Sequence, residues 1–304
     1  MNASNGARAT VAVVGVGGIG GVAAATLGAA DRHDVIVCTR RALPTLALER
    51  PEGDVALSLR SLANAANAPV VDWVLLCTKA HQTDSAAPWL ARLCGPSTRV
   101  AVLQNGIGHA RRVAPLAGAA LVVPTIVYFN GERVGDGRVR LRHATTIDLA
   151  VADDEAGRAF ARLFDDTPLK VATSADFTTL AWRKLLLNVS ANPITALTAQ
   201  RQSVLRRADV RTLCLAILDE AVAVARAEGA HLGENESVEA LATLMTYPPE
   251  AGTSMYFDRL AGRPLEAEAL TGPIVEAGQR HGIPTPINSA LLTLLRAISD
   301  AAGL

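Results

Sequence analysis

Short apolar runs alternate with helical stretches through the first half of the chain, and helical patterns alone fill the second. The runs Val11–Val14, Asp34–Thr39, Trp73–Thr78 and Val100–Leu103 predict strands. Leu121–Phe129 predicts another, broken by Pro124. Arg138–Arg142 and Thr146–Val151 predict a hairpin pair, and Leu169–Ala172 a last short strand. Continuous apolar strands separated by helices predict a parallel sheet covered on both faces. From about Asp176 the apolar period becomes helical, over Thr178–Ala191, Val210–Glu228, Val238–Thr246, Leu265–His281 and Asn288–Ala297. The expectation is an α/β domain over residues 1–174 and an all-α domain over 175–304. No Gly/Ser linker and no fixed-period repeat interrupts the chain.

Composition narrows the classes. Of 304 residues 50% are hydrophobic and 19% charged, which is the balance of a folded globular chain. Lys+Arg and Asp+Glu are both 29, so neither a basic nucleic-acid face nor an acidic tail is expected. Cys38, Cys77, Cys94 and Cys214 are widely spaced and form no CxxC pair. That argues against zinc and disulfide frameworks and for reduced thiols in the cytoplasm. Residues 9–30 carry no charge and mimic a membrane span or a signal peptide. Yet Gly15, Gly17, Gly18, Gly20, Gly21 and Gly28 crowd that stretch behind a β-branched run. The order is strand, turn, helix, so neither membrane nor secretion is expected. None of the histidines (His33, His81, His109, His143, His231, His281) pairs with an acid or another His at ligand spacing, and no metal is expected.

The turn itself carries chemistry. Gly15-Val16-Gly17-Gly18-Ile19-Gly20 follows a strand and opens a helix, the context a dinucleotide fingerprint requires. The first glycine permits the tight turn, the second lets a pyrophosphate approach the backbone, and the third lets the helix pack close to the strand. Free N–H groups and the positive dipole end then face the anion. The first domain is therefore expected to be a Rossmann-type dinucleotide-binding domain. The second strand ends in Cys38-Thr39-Arg40-Arg41, where an NAD enzyme places a carboxylate for the ribose 2′-OH. Guanidinium there suits the 2′-phosphate of NADP. Arg40 and Arg41 facing solvent is the alternative. Lys79 follows the third strand and Asn105-Gly106-Ile107-Gly108 the fourth, both at the carboxyl end of the sheet where ligands bind. A surface lysine and a turn-stabilising Asn are the plainer readings of those two residues.

Only Lys79, Lys170 and Lys184 are lysines in a chain that otherwise uses Arg, and Lys can release a proton in the useful pH range. In Trp182-Arg-Lys184-Leu-Leu-Leu-Asn188-Val-Ser-Ala-Asn192-Pro193 the lysine and two asparagines fall at i, i+4 and i+8, one polar stripe on a helix. Asn forms helices poorly, so a substrate-facing demand explains the stripe better than a solvated face. Leu186, Leu187 and Val189 lie opposite, and the helix is expected to close near Asn192 before Pro193. Further on, Pro264 suits a helix start with Glu266 and Glu268 in its first turn, where acids complement the helix dipole.

Taken together these residues resemble the ketopantoate reductase (2-dehydropantoate 2-reductase) family over nearly the whole chain. The resemblance rests on the N-terminal GxGxxG, Thr78-Lys79, Asn105-Gly106, the segment from Trp182 to Pro193, and Ser254-Met255 with the later Asp258 and Glu266. It implies a Rossmann domain joined to a helical domain, with the active site in the cleft between them. It implies NADPH-dependent reduction of 2-dehydropantoate to (R)-pantoate, on the route to pantothenate. Lys184 matches the family's general acid, and Asn188, Asn192 and Ser254 match substrate-binding positions. Asn105 matches a position touching cofactor and substrate, and Glu266 an acid near the nicotinamide and the substrate hydroxyl. Arg40 and Lys79 match contacts to the phosphate or adenosine side of the cofactor. Thr271 stands where the family often has Asn, and Gln202 or nothing replaces a further substrate Asn. Another 2-oxo acid or a β-hydroxyacid on the same fold stays open, and so does a non-catalytic NADP-binding sensor, which the presence of both Lys184 and Glu266 counts against. Nucleic acid and membrane are not expected as partners. The apolar helices after Asp209 are expected to bury the domain core, with a homodimer face as the open alternative.

Overall fold

The computed structural model describes residues 8–302. Residues 1–7 and 303–304, which end the two expected domains, lie outside that range. The strands are β1 (Thr10–Val14), β2 (Asp34–Cys38), β3 (Leu46–Glu49), β4 (Val55–Leu57), β5 (Arg60–Leu62), β6 (Trp73–Leu76) and β7 (Arg99–Val102). They continue with β8 (Leu121–Pro124), β9 (Ile126–Val127), β10 (Asn130–Gly135), β11 (Arg138–Arg142), β12 (Leu149–Ala152) and β13 (Val171–Ser174). Four α-helices lie among them: α1 (Gly18–Ala30), α2 (Ala87–Leu93), α3 (His109–Ala117) and α4 (Glu155–Leu163). The chain divides into two compact units. One holds residues through Gln104 together with Gly108–Phe177, and the other holds Asn105–Ile107 with Thr178 onward.

The first unit is built on a six-stranded sheet in the order β5-β2-β1-β6-β7-β8. Every neighbouring pair in it is parallel. Strand order reverses beside β1, the place where open α/β sheets open a crevice for ligands. Side chains alternate between faces, and both faces are apolar. Val11, Val13, Val35, Val37 and Leu75 pack with α1 and α4, whereas Ala12, Val14, Ile36, Cys38, Val74 and Leu76 pack with α2 and α3. This two-sided burial is why the strands read as unbroken apolar runs. A four-stranded sheet, β10-β11-β3-β4, packs against α1, and a three-stranded sheet, β13-β12-β9, completes the unit. A Cβ on Gly18 would stand 2.0 Å from the Gly131 carbonyl oxygen, so that glycine lets β10 reach the helix.

The expected hairpin of Arg138–Arg142 with Thr146–Val151 is corrected. β11 pairs antiparallel with β10, through a turn at Asp136-Gly137 in which Gly137 has φ +64°, as hairpin turns favour. β12 pairs instead with β9 and β13. Strands β3, β4, β5 and β10 had no clear apolar signature, because β4, β5 and β10 contain no buried residue.

The second unit is helical: α5 (Phe177–Thr198), α6 (Ala208–Ala227), α7 (Glu236–Met245), α8 (Ser254–Leu260), α9 (Ala267–Leu270), α10 (Gly272–His281) and α11 (Pro286–Ala302). Its core takes Leu185, Leu186 and Val189 from α5, Ile217, Leu218 and Ala221 from α6, and Leu291, Leu292 and Leu295 from α11. Two helix boundaries are corrected. α5 runs through Pro193 to Thr198. An interior proline costs about 3 kcal/mol, but Pro193, Ile194, Thr195 and Ala196 are all buried, and that packing carries the helix onward. The single helix expected over Leu265–His281 is two, separated at Thr271. Pro264 does not start a helix, and Glu266 precedes α9 rather than lying in its first turn. No helix among the described residues is long and apolar enough to cross a membrane.

Phe160 joins α4 to the sheet, with ring centroids 5.7 Å from Trp73 and 5.3 Å from Phe164 and no exposed surface. Phe160→Ala is expected to lower the unfolding free energy by about 3–5 kcal/mol, measured by urea denaturation.

Candidate active site

The fingerprint glycines form a turn of unequal crowding. Gly15 has φ +95°, and a Cβ there would lie 2.7 Å from the Thr78 nitrogen. A Cβ on Gly20 would lie 2.2 Å from the Gly15 carbonyl oxygen and 2.8 Å from Cys77 Cβ, so helix and strand touch through it. Gly17 differs, since a Cβ there would meet nothing within 4 Å. It caps α1 without any side-chain hydrogen bond, so the first N–H groups of a 13-residue helix stand next to open space. Val16, Gly18 and Ile19 are partly buried in the same turn. Arg40 is exposed two residues beyond β2, and Arg41 beside it is exposed too. Lys79 is half-buried at the start of a short 3-10 turn after β6. These residues all belong to the first unit.

The remaining expected residues belong to the second unit. Lys184, Asn188 and Asn192 lie one turn apart along α5, which is buried along most of its length. Lys184 and Asn188 are half-buried, and Asn192 is 4% exposed. Removal from water disfavours the ammonium, so burial pushes Lys184 below its ordinary value. Next to it Arg183 turns outward and makes a two-pronged ion pair with Glu236, at 2.8 and 3.1 Å. This pair fixes the rotation of α5 against α7, and sequence spacing gave no sign of it.

Asn105 and Glu266, 161 residues apart, are brought together. Asn105 Nδ2 donates to Glu266 Oε2 at 3.1 Å. Glu266 is only 4% exposed, so its carboxylate needs such donors. The contact depends on Gly106, whose φ is +90° and whose absent Cβ would lie 2.0 Å from the Ala269 carbonyl oxygen. Ser254 is exposed at the first residue of α8. The preceding Thr253 caps that helix through the Tyr256 N–H and bonds the Thr195 hydroxyl at 2.7 Å. Thr195 also bonds the Asn192 carbonyl at 3.2 Å. One hydroxyl pair thus ties the end of the polar stripe to the segment carrying Ser254. Thr271 is fully buried, and its hydroxyl has no hydrogen-bond partner among the described residues.

Two histidines depart from the expectation that none pairs with an acid. His143 Nδ1 lies 2.6 Å from Asp148, and His281 Nε2 lies 2.5 Å from Glu228, which Arg280 also bonds. His281 and Glu228 are distant in sequence, so spacing could not reveal them, and both pairs stand apart from the residues above. No group of three His, Cys, Asp or Glu able to hold a metal exists among the described residues. All four cysteines are unpaired. Burial pushes Cys38 up to about 12 and Cys94 and Cys214 up to about 11, which leaves their thiols inert at neutral pH.

Gly106→Ala would force a side chain into a left-handed conformation and into a carbonyl oxygen. It is expected to cost about 1–3 kcal/mol in thermal or urea unfolding, with overall secondary structure by circular dichroism unchanged.

Comparisons with known proteins identify the family. The family model described as "Ketopantoate reductase PanE/ApbA" matches residues 11–154, and "Ketopantoate reductase PanE/ApbA C terminal" matches residues 176–299. A 2-dehydropantoate 2-reductase of Caulobacter vibrioides is 38% identical over 277 residues, covering 90% of this chain and 93% of that protein. One of Mycobacterium tuberculosis is 42% identical over 233 residues, covering 77% of this chain and 78% of that protein. The solved structure of a dimeric ketopantoate reductase from Staphylococcus aureus superposes with a TM-score of 0.85 at 28% identity, covering 97% of this chain and all (100%) of that one. Both halves of the chain are thus matched by one family: the chain belongs to the ketopantoate reductases and is an oxidoreductase of the 2-dehydropantoate 2-reductase type.

Proposed function

We propose that this protein reduces 2-dehydropantoate to (R)-pantoate with NADPH, in the synthesis of pantothenate, and that Lys184 donates the proton. The observation that carries the reading is the polar stripe Lys184–Asn188–Asn192 on a helix otherwise packed into an apolar core. A half-buried cation followed at one-turn spacing by two amides presents the groups that a polar acid substrate would need. Residues 1–174 are assigned to the cofactor and residues 175–304 to the substrate, with Asn105 joining the second group as part of the helical unit.

The residues of the first unit fit a dinucleotide. Gly17 leaves open the space that a pyrophosphate would need, at the uncapped start of α1. The assigned holders are Gly15, Val16, Gly17, Gly18, Ile19 and Gly20, with Lys79, Asn105 and Glu266. Arg40 is exposed where the 2′-phosphate would be read, which supports NADP over NAD. NADPH, when bound, supplies the hydride for the carbonyl carbon. The protein's part is to hold and protonate. Negative charge that develops on the carbonyl oxygen is stabilised by the Lys184 ammonium, which then gives its proton to that oxygen. Burial weakens the hold of Lys184 on the proton and so makes the transfer easier. Asn188, Asn192 and Ser254 orient the acid, and the Asn105–Glu266 pair receives its hydroxyl. A homodimer in the cytoplasm is the assembly and setting proposed, the first supported by the dimeric Staphylococcus aureus relative.

Thr271 is fully buried at the junction of α9 and α10. Its hydroxyl has no hydrogen-bond partner among the described residues, and the choice of 2-oxo acid is decided by the substrate panel below.

The deciding assay follows NADPH oxidation with 2-dehydropantoate, beside pyruvate, 2-oxoisovalerate and a blank, with NADH in parallel. Turnover of 2-dehydropantoate far above the others is expected; preference for another 2-oxo acid would reassign the substrate, and NADPH binding without turnover of any would favour a sensor. Arg40→Ala is expected to raise KM for NADPH about tenfold or more and to leave that for NADH unchanged. Lys184→Met is expected to cut kcat by roughly 10²–10⁴ while NADPH still binds. The sign with pH follows from the lowered Lys184 value. A general acid must be protonated, so kcat/KM should fall on the basic side at a pH below 10.5, the ordinary lysine value. Folding disfavours the same charge, so the penalty is full below the folded pKa and fades as pH rises toward the unfolded one. The methionine variant should accordingly melt no lower than the wild type at pH 7.

A further inference from the structure

One buried side chain joins the turns that follow β6 and β7, and it belongs neither to the fingerprint nor to the polar stripe. Gln104 is 4% exposed and is the last residue of the first unit before Asn105. Its Nε2 donates to Thr78 Oγ1 at 3.1 Å and to Thr83 Oγ1 at 3.0 Å. Its Oε1 accepts from Arg112 Nη2 on α3 at 3.1 Å. Thr83 Oγ1 donates to the Ala80 carbonyl at 2.8 Å, which leaves its oxygen lone pairs to accept from Gln104 Nε2. The other side of Thr78 faces the glycine turn. Its nitrogen and Cγ2 stand 2.7 and 2.9 Å from where a Cβ of Gly15 would be.

Thr78 is thus held between Gln104 and Gly15, and it immediately precedes Lys79. The location is a costly one for an amide. Gln104 continues the buried run Val100, Ala101, Val102 and Leu103, where an apolar residue would fill the space without desolvation cost. A satisfied buried amide adds little net stability over such a residue, but it fixes the directions of its partners.

We propose that Gln104 is a positioning residue for the cofactor. Through Thr78 it holds the turn after β6 against the Gly15 turn, and so keeps the anion-facing N–H groups and Lys79 in register. It acts through Thr78 and does not itself touch the cofactor. The inference rests on reading Gly15–Gly20 and Lys79 as the NADP site.

The test compares wild type, Gln104→Met, Thr78→Val, their double variant and Thr78→Ser, by titration with NADPH and by steady-state kinetics. Gln104→Met and Thr78→Val are each expected to weaken NADPH binding roughly tenfold. The double variant should be no worse than Gln104→Met, since both single variants remove the same Gln104–Thr78 bond. Thr78→Ser keeps the hydroxyl and should bind as the wild type does. KM for NADPH should rise while kcat at saturating NADPH stays within about threefold. Wild-type affinity in Gln104→Met, additive losses in the double variant, or equal losses in Thr78→Ser and Thr78→Val would each overturn the inference while leaving the cofactor reading in place. If Gln104→Met does not fold, the contrast between Thr78→Val and Thr78→Ser decides by the same criteria. A wild-type protein that fails to bind NADPH would overturn the cofactor reading itself, and this inference with it.

Discussion

A parallel sheet has to bury both of its faces, because the helices that connect its strands are laid against it. In the first unit that constraint sets nearly everything else. Val11 and Val13 belong to one core, Ala12 and Val14 to the other. With both faces occupied, polar chemistry is left to the strand ends. The Gly15 turn, Thr78-Lys79 and Gln104 all follow the carboxyl ends of adjacent strands, since β1 pairs with β6 and β6 with β7. The ordering of the sheet therefore brings these three turns together at one end of the strands.

Packing against α1 imposes a second requirement. Gly18 admits the Gly131 carbonyl, Gly21 meets Val139, and Gly20 meets the Gly15 backbone and Cys77. Glycines that look alike in the sequence serve different ends, and within the Gly15–Gly21 stretch Gly17 is the one facing open space. The helical unit shows the opposite economy. Its core is made by the aliphatic residues of α5, α6 and α11, and several polar groups among them are held by named partners. Thr195 with Thr253, Glu236 with Arg183 and Glu266 with Asn105 are such pairs. Burial also disfavours the charge of Lys184.

The sequence by itself determined the elements with strong period and the motif-bearing turns. β1, β2, β6 and β7 were legible because burial on both faces leaves uninterrupted apolar runs, and the fingerprint because its glycines have local steric causes. The polar stripe on α5 was legible because its members repeat at the pitch of one helix. Tertiary structure decided what has no local signature. β4, β5 and β10 bury no residue and so show no apolar run. β11 pairs with β10 rather than with the expected Thr146–Val151, and β10, with no buried residue, had no apolar run to announce it. α5 passes Pro193 because core packing outweighs a local penalty. The meeting of Asn105 with Glu266, the clamp of Arg183 on Glu236 and the bracing of Thr78 by Gln104 join residues far apart in the chain. Such contacts arise from how distant segments pack, and nothing in the spacing of residues along the sequence encodes the distance between them.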